Sequence, residues 1–146
     1  MHALKSRCKR LHRKEPLKLI VVDYLQLMTA KQATTREQEV SQISRSIKAL
    51  AMDLGVPILA VAQLNRSIEM RTGEQSRPTL SDLRDSGQIE QDADIVGMVW
   101  WGWEHCADLP PNDCELIVRK NRNGPLGTMI IDWKPEQVKF VERKAS

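Results

Sequence analysis

The 146 residues amount to about one domain, and 41% hydrophobic content supports a folded core rather than a disordered chain. No apolar stretch approaches the roughly 20 residues of a membrane-crossing helix, and basic Met1–Glu15, with no apolar run behind it, reads as no signal peptide. The net charge of +3 is uneven: residues 1–16 hold six Lys/Arg against one Glu and the remainder 16 against 18, so the body is no strongly basic nucleic-acid binder and any phosphate contact must be local.

In chain order, Leu4, Cys8 and Leu11 recur at helical spacing among basic residues, which predicts an amphipathic helix over Met1–Glu15 ended by Pro16. Its basic face is either solvated or a DNA-binding arm. A domain that starts in mid-pattern also leads us to expect further sequence upstream. Leu19-Ile20-Val21-Val22 is an unbroken apolar run, predicted as a strand of a parallel sheet buried on both faces. Asp23 follows at once. At the C-terminal edge of a parallel sheet, where ligands sit, such a carboxylate either caps the next turn or holds Mg²⁺, as in P-loop nucleotidases.

Thr34 with Glu37 gives a capping-box signal. Val40, Ile43, Ile47, Leu50 and Leu54 then form the stripe of an amphipathic helix, stopped by Gly55 and Pro57. Pro57–Ala62 reads as a second buried strand ending at Gln63, so strand, helix and strand make a βαβ unit. Both strands being parallel, Asp23 and Gln63 should emerge at one edge, a carboxylate for Mg²⁺ beside an amide able to sense a phosphate oxygen or orient a water.

Gln63–Pro78 is polar and turn-rich, a mobile loop with a helical turn at Arg66–Arg71. In Leu80–Asp94, Ser86 can cap a short helix running through Gln91. There Gly87 leaves backbone N–H groups accessible and Arg84 adds a charge. The loop is either a phosphate grip or a capped surface turn. Ile95–Trp101 reads as a third buried strand. Gly102–Asp113 is a loop whose Trp103, with Trp100 and Trp101, either stacks bases or belongs to the core. Glu115–Arg122, Gly127–Trp133 and Gln137–Glu142 are further strands, with a hairpin turn at Asn123-Gly124. Lys120 and Arg122, two apart, point to one side. They are a solvated hairpin end or, if the phosphate belongs to a neighbouring subunit, an arginine finger. The three cysteines, Cys8, Cys106 and Cys114, form no CxxC and suit reduced thiols in a cytosol. His105, Cys106 and Cys114 lack zinc-ligand spacing.

Taken together, VVDYLQLM, EVSQISRSIKALA, VPILAVAQLNRSIEMR, RPTLSDLRDSGQIEQDADIV and RKNRNGPLGT resemble the C-terminal motor domain of DnaB-type replicative DNA helicases, in that family's order and over about residues 1–142. The resemblance implies an α/β fold: a truncated RecA-like P-loop NTPase core with a mainly parallel sheet flanked by helices and a C-terminal β-hairpin. One partial motor domain would span 1–146, with a basic helix at 1–15, a βαβ core at 17–101 holding a DNA-loop region at 64–94, and a hairpin region at 114–142. It further implies a cytoplasmic homohexameric ring that uses ATP and Mg²⁺ to translocate 5′ to 3′ on single-stranded DNA, with primase and a helicase loader as partners.

By resemblance Asp23 is the Walker B carboxylate that binds Mg²⁺ through water. Gln63 links nucleotide state to the DNA loops. Arg84, Asp85 and Gly87 match the loop on the DNA backbone, and Lys120 and Arg122 match the pair supplied in trans to the γ-phosphate. Three departures stand out. No GxxxxGK[ST] occurs in these residues, so the chain alone is expected to be inactive. Asp85 and Asn121 stand where the family usually has Glu and Gln, and WWGWEHCADLPPND replaces a stretch usually rich in Tyr and charge. A RecA- or RadA-type recombinase fragment, or a motor remnant serving as a non-enzymatic interaction module, are the alternatives.

Overall fold

The computed structural model describes residues 1–30, 33–102, 110 and 112–143, and of Glu74, Arg84, Asp85 and Ser86 the backbone alone. The chain divides into two compact units, Met1–Leu64 with Leu83–Ala93, and Asn65–Asp82 with Asp94–Ser146.

The first unit holds helix α1 (His2–Lys14), strand β1 (Ile20–Val22), helix α2 (Arg36–Leu54), strand β2 (Ile58–Ala60) and helix α3 (Gly87–Asp92). α1 ends at Glu15, whose extended backbone (φ −146°) is what the following Pro16 requires. Of its stripe, Cys8 is buried and Leu4 packs on the core, while Leu11 is exposed. Cys8, Ile20, Leu50 and Val56 form one apolar cluster; Leu25, Ile43 and Ile47 form another, on which Ile89 of α3 packs. The predicted stripe of α2 is thus the face that buries the strands. Its cap lies one residue later than expected. Thr35, not Thr34, is the N-cap, accepting from the Gln38 N–H at 3.2 Å. Gln38 reaches back to the Thr34 N–H and hydroxyl, at 3.2 and 2.7 Å. TREQ is a capping box as good as the overlapping TTRE, and adjacent threonines gave the spacing rule no basis for choosing. At the other end Gly55 adopts φ +63°. Val56 and Gly55 donate to the carbonyls of Ala51 and Met52, the paired bonds that close a helix on a left-handed residue.

β1 and β2 pair in parallel, Ile20 opposite Ile58 through Val22 opposite Ala60, as the βαβ pattern predicts. Burial on both faces does not hold. Leu19, Val21, Leu59 and Val61 are all exposed, because α1 and α2 pack on the other face only.

In the second unit, β3 (Ile95–Trp101), β4 (Asp113–Asn121), β5 (Gly127–Lys134) and β6 (Lys139–Glu142) form an antiparallel meander in sequence order. This corrects the expectation of a mainly parallel sheet with β3 as its third buried strand. β3 buries Val96, Met98 and Trp100 and exposes Ile95 and Val99. Both its faces are apolar, so alternation was invisible in the sequence. The β4–β5 hairpin forms, but pairing stops at Val118 opposite Gly127, well short of a two-residue turn at Asn123-Gly124. Neither residue has positive φ, which a two-residue type I′ turn demands of both. The Asn121 amide closes the loop by donating to the Pro125 carbonyl at 3.2 Å. At the far end, Asp113 and Asp132 are cross-strand partners, and the Arg143 guanidinium pairs with both, relieving a like-charge pair.

Candidate functional site

The site begins where the parallel pair ends. The Val22 carbonyl accepts from Val61 N–H, and the Val61 carbonyl accepts from Leu25 N–H, each at 2.9 Å. Asp23 and Gln63 therefore leave the sheet at one edge, as the parallel reading predicts, and both are exposed. Among the described residues the Asp23 carboxylate has no hydrogen-bonded or charged partner of its own. It is thus no turn cap, and a lone carboxylate at such an edge is a suitable contributor to a hydrated divalent cation. Beyond Val61 the chain at Gln63 is held by a side chain. The Gln26 amide accepts from Gln63 N–H at 3.2 Å and donates to the Gln63 carbonyl at 3.1 Å.

The segment carrying Gln26 is itself fixed to the first turn of α2. Leu25 is 2% exposed and lies on Ile43 and Ile47. The Arg36 guanidinium donates to the carbonyl of Gln26 and pairs with Glu39, and Glu39 accepts from Ala30 N–H at 2.9 Å. The Ala30 N–H, with Arg36, holds the Glu39 carboxyl below its ordinary pKa.

Gly87 opens α3, which is tied to α2 where the Ser44 hydroxyl donates to Asp92 at 2.7 Å. A side chain at position 87 would meet nothing within 4 Å, so the space above this backbone is open. Arg84 lies in the 3₁₀ stretch Leu80–Ser86 with Asp85, and the side chains of both lie outside the described residues. The helix predicted through Gln91 is present.

Gln63–Pro78 is well fastened from Asn65 onward, contrary to the expectation of a mobile loop. The predicted turn is there as a 3₁₀ stretch, Arg66–Met70. Asn65 N–H donates to the Asp82 carbonyl at 3.0 Å and closes the segment on itself. Asp82, 2% exposed, accepts both arms of Arg71 and the N–H and hydroxyl of Thr79. Burial pushes its carboxyl up, but the Arg71 and Thr79 donors outweigh that and hold it below the ordinary value. Arg77 pairs in two-pronged fashion with Glu115, at 2.8 and 2.9 Å, and lies 4.4 Å over the Trp100 ring. Trp100 donates to the buried Ser76 hydroxyl at 3.1 Å. A polar sequence looked loose because its ion-pair partners lie up to 38 residues away. Only Thr79-x-x-Asp82, itself a capping-box spacing, signalled part of the network. Trp100 is accordingly core rather than a stacking platform. Trp103, His105 and Cys106 lie outside the described residues. Cys114 is buried, its thiol donating to the Trp100 carbonyl, and burial pushes that thiol up.

Lys120 is the last residue but one of β4, and Arg122 lies one residue beyond the strand rather than inside it as predicted. A bulge leaves Arg119 unpaired between Val96 opposite Lys120 and Gly97 opposite Val118. It falls before Lys120, so the spacing of the two cations is undisturbed. Arg122 N–H donates to the Asp94 carbonyl at 2.8 Å, and its guanidinium to the Asp94 carboxylate at 2.9 Å. Half its side chain remains exposed. Sequence reasoning missed Gln26, Asp82 and Asp94, since none carries a spacing rule that ties it to its partner.

A family model, the DnaB-like helicase C-terminal domain, matches residues 1–142. The replicative DNA helicase DnaB of Geobacillus stearothermophilus is 45% identical over 141 residues, covering 94% of this chain and 31% of that protein. The replicative DNA helicase DnaC of Bacillus subtilis is 41% identical with the same coverage. This chain therefore spans about a third of the length of such relatives. Among solved structures, one described as an ATPase domain superposes with a TM-score of 0.88 at 39% identity, over 97% of this chain and 50% of that one. A DnaB-like replicative helicase, described with its interactions with primase, gives 0.88 and 39% over 97% and 35%.

Proposed function

The chain belongs to the DnaB-like helicase C-terminal domain family, and on that premise we propose that it serves as the C-terminal part of an ATP-dependent replicative DNA helicase. The observation that carries this reading is the edge of the parallel pair, where Asp23 and Gln63 emerge together. Asp23 would hold Mg²⁺ through water, and the ion would neutralise charge developing on the transferred phosphoryl group. Gln63 presents an exposed amide to the same edge and reports the nucleotide's state to the DNA-facing segments. Lys120 and Arg122 face the γ-phosphate of the neighbouring subunit in a homohexameric ring. There Arg122 exchanges its Asp94 carboxylate for phosphate oxygens and acts as the finger, a role worth about 10³–10⁵ in rate. Arg84, Asp85 and the open backbone at Gly87 grip the sugar-phosphate backbone of single-stranded DNA, so binding is salt-dependent and indifferent to sequence. Movement is 5′ to 3′, with primase and a loader as the ring's partners.

These 146 residues hold no GxxxxGK[ST]. The purified chain therefore shows no ATP turnover on single-stranded DNA, and turnover that Asp23→Ala abolishes would contradict this. In a chimera that carries this chain in place of the matching part of the Geobacillus relative, Arg122→Ala removes hydrolysis and spares nucleotide binding. Lost binding with an unchanged rate per bound ATP would overturn the finger role. The missing phosphate-loop motif also favours a second reading for the chain by itself, a module that docks on intact subunits. Inhibition of the relative's ring by added chain tests it.

A further inference from the structure

We propose that Gln26 is the positioning residue for Gln63: its side-chain amide takes over the β1–β2 ladder where the main chain leaves it, and so sets the stance of the Gln63 side chain. The proposal rests on the reading of Gln63 as the nucleotide-sensing amide. The ladder proper runs from Ile20 N–H on the Pro57 carbonyl to Leu25 N–H on the Val61 carbonyl. The chain then turns away in the 3₁₀ stretch Leu25–Leu27, whose main chain makes no bond to Gln63. The Gln26 amide fills the place with one donor and one acceptor on the N–H and carbonyl of a single residue, as a strand neighbour would. With both main-chain groups held, the Cα–Cβ direction at Gln63 is fixed while its side chain stays exposed.

The holder is in turn held. Leu25 is buried on α2, and Arg36 grips the Gln26 carbonyl while paired with Glu39. Gln63 is thereby referenced to the residue three places after Asp23 and to the first turn of α2, although position 63 itself lies 37 residues on. An uncharged amide does this at neutral pH, because it carries a donor and an acceptor side by side on two atoms. Glutamate at position 26 would accept from the Gln63 N–H but, when ionised, would set its charge against the Gln63 carbonyl. Protonated, it would restore both bonds.

The test uses the whole 146-residue chain and the chimera. By NMR hydrogen exchange, Gln26→Ala lowers the protection of the Gln63 amide about tenfold, one hydrogen bond's worth, and leaves Val61, bonded to the main chain, as it was. Gln26→Glu, whose carboxylate still accepts from the Gln63 N–H, retains more of that protection than Gln26→Ala. In the chimera, Gln26→Ala lowers kcat of DNA-stimulated hydrolysis with KM for ATP unchanged, and Gln63→Ala does the same. Unchanged protection at Gln63, or full stimulation in Gln26→Ala while Gln63→Ala loses it, overturns the positioning role alone. Full stimulation in Gln63→Ala overturns the reading of Gln63 and this inference with it.

Discussion

Asp82 is the residue on which Asn65–Asp82 depends. It is the buried member of a pair whose other member, Arg71, reaches solvent. Replacing it by Asn keeps the shape and removes the charge that Arg71 and Thr79 were arranged to meet. Asp82→Asn should cost about 2 kcal/mol, the worth of hydrogen bonds to a charged group, since Arg71 keeps its access to solvent; the loss is read as a lower midpoint in urea unfolding. The acid dependence has a definite sign. The folded carboxyl titrates below its ordinary value, so its stabilisation is complete above the unfolded value near pH 4. It is lost as pH falls through the folded value. Glu39 and Asp53 shift in the same direction through Ala30 N–H and Arg36, and through Lys9. The flatter acid limb of Asp82→Asn against the parent therefore isolates the one carboxylate that is buried among the described residues. Asp23 and Gln63 were legible from the sequence as strand ends. Gln26 and Asp82 were not, because a side chain that bonds to distant main chain leaves no periodic trace.

The elements themselves were legible where chemistry is local. α2 could be read from its stripe, its Gly55 stop and its threonine start, and only the choice between two adjacent threonines went astray. That choice is measurable. Thr35→Ala should cost about 1 kcal/mol of stability, as loss of an N-cap does. Thr34→Ala should cost distinctly less, because it removes only one exposed hydroxyl bond to Gln38. Equal losses, measured as paired thermal midpoints, would return the cap to Thr34. Strand boundaries were read to within two residues, and for Ile95–Trp101 to the residue, yet their partners were not. A run apolar on both faces fits a parallel or an antiparallel neighbour equally, and the choice is made by connections. β3 to β6 are joined by returns too short for a crossover.

At the scale of the molecule, the sequence resemblance identified the family before any coordinate did, since its strings span both units. It did not show that the chain folds as two units with separate sheets, which is a property of contacts rather than of strings. The two-stranded sheet is the unusual part. Parallel pairs are ordinarily covered on both faces. Here Leu19, Val21, Leu59 and Val61 form one apolar face that is about half exposed, at 53, 57, 56 and 44%. Such a face makes stability a matter of mass action: whatever covers it binds the folded chain and not the unfolded one. The thermal midpoint of the isolated chain should therefore climb with protein concentration, and Val21→Thr with Leu59→Thr should flatten that climb. A midpoint indifferent to dilution across a hundredfold range would show that the fold holds this face in water unaided.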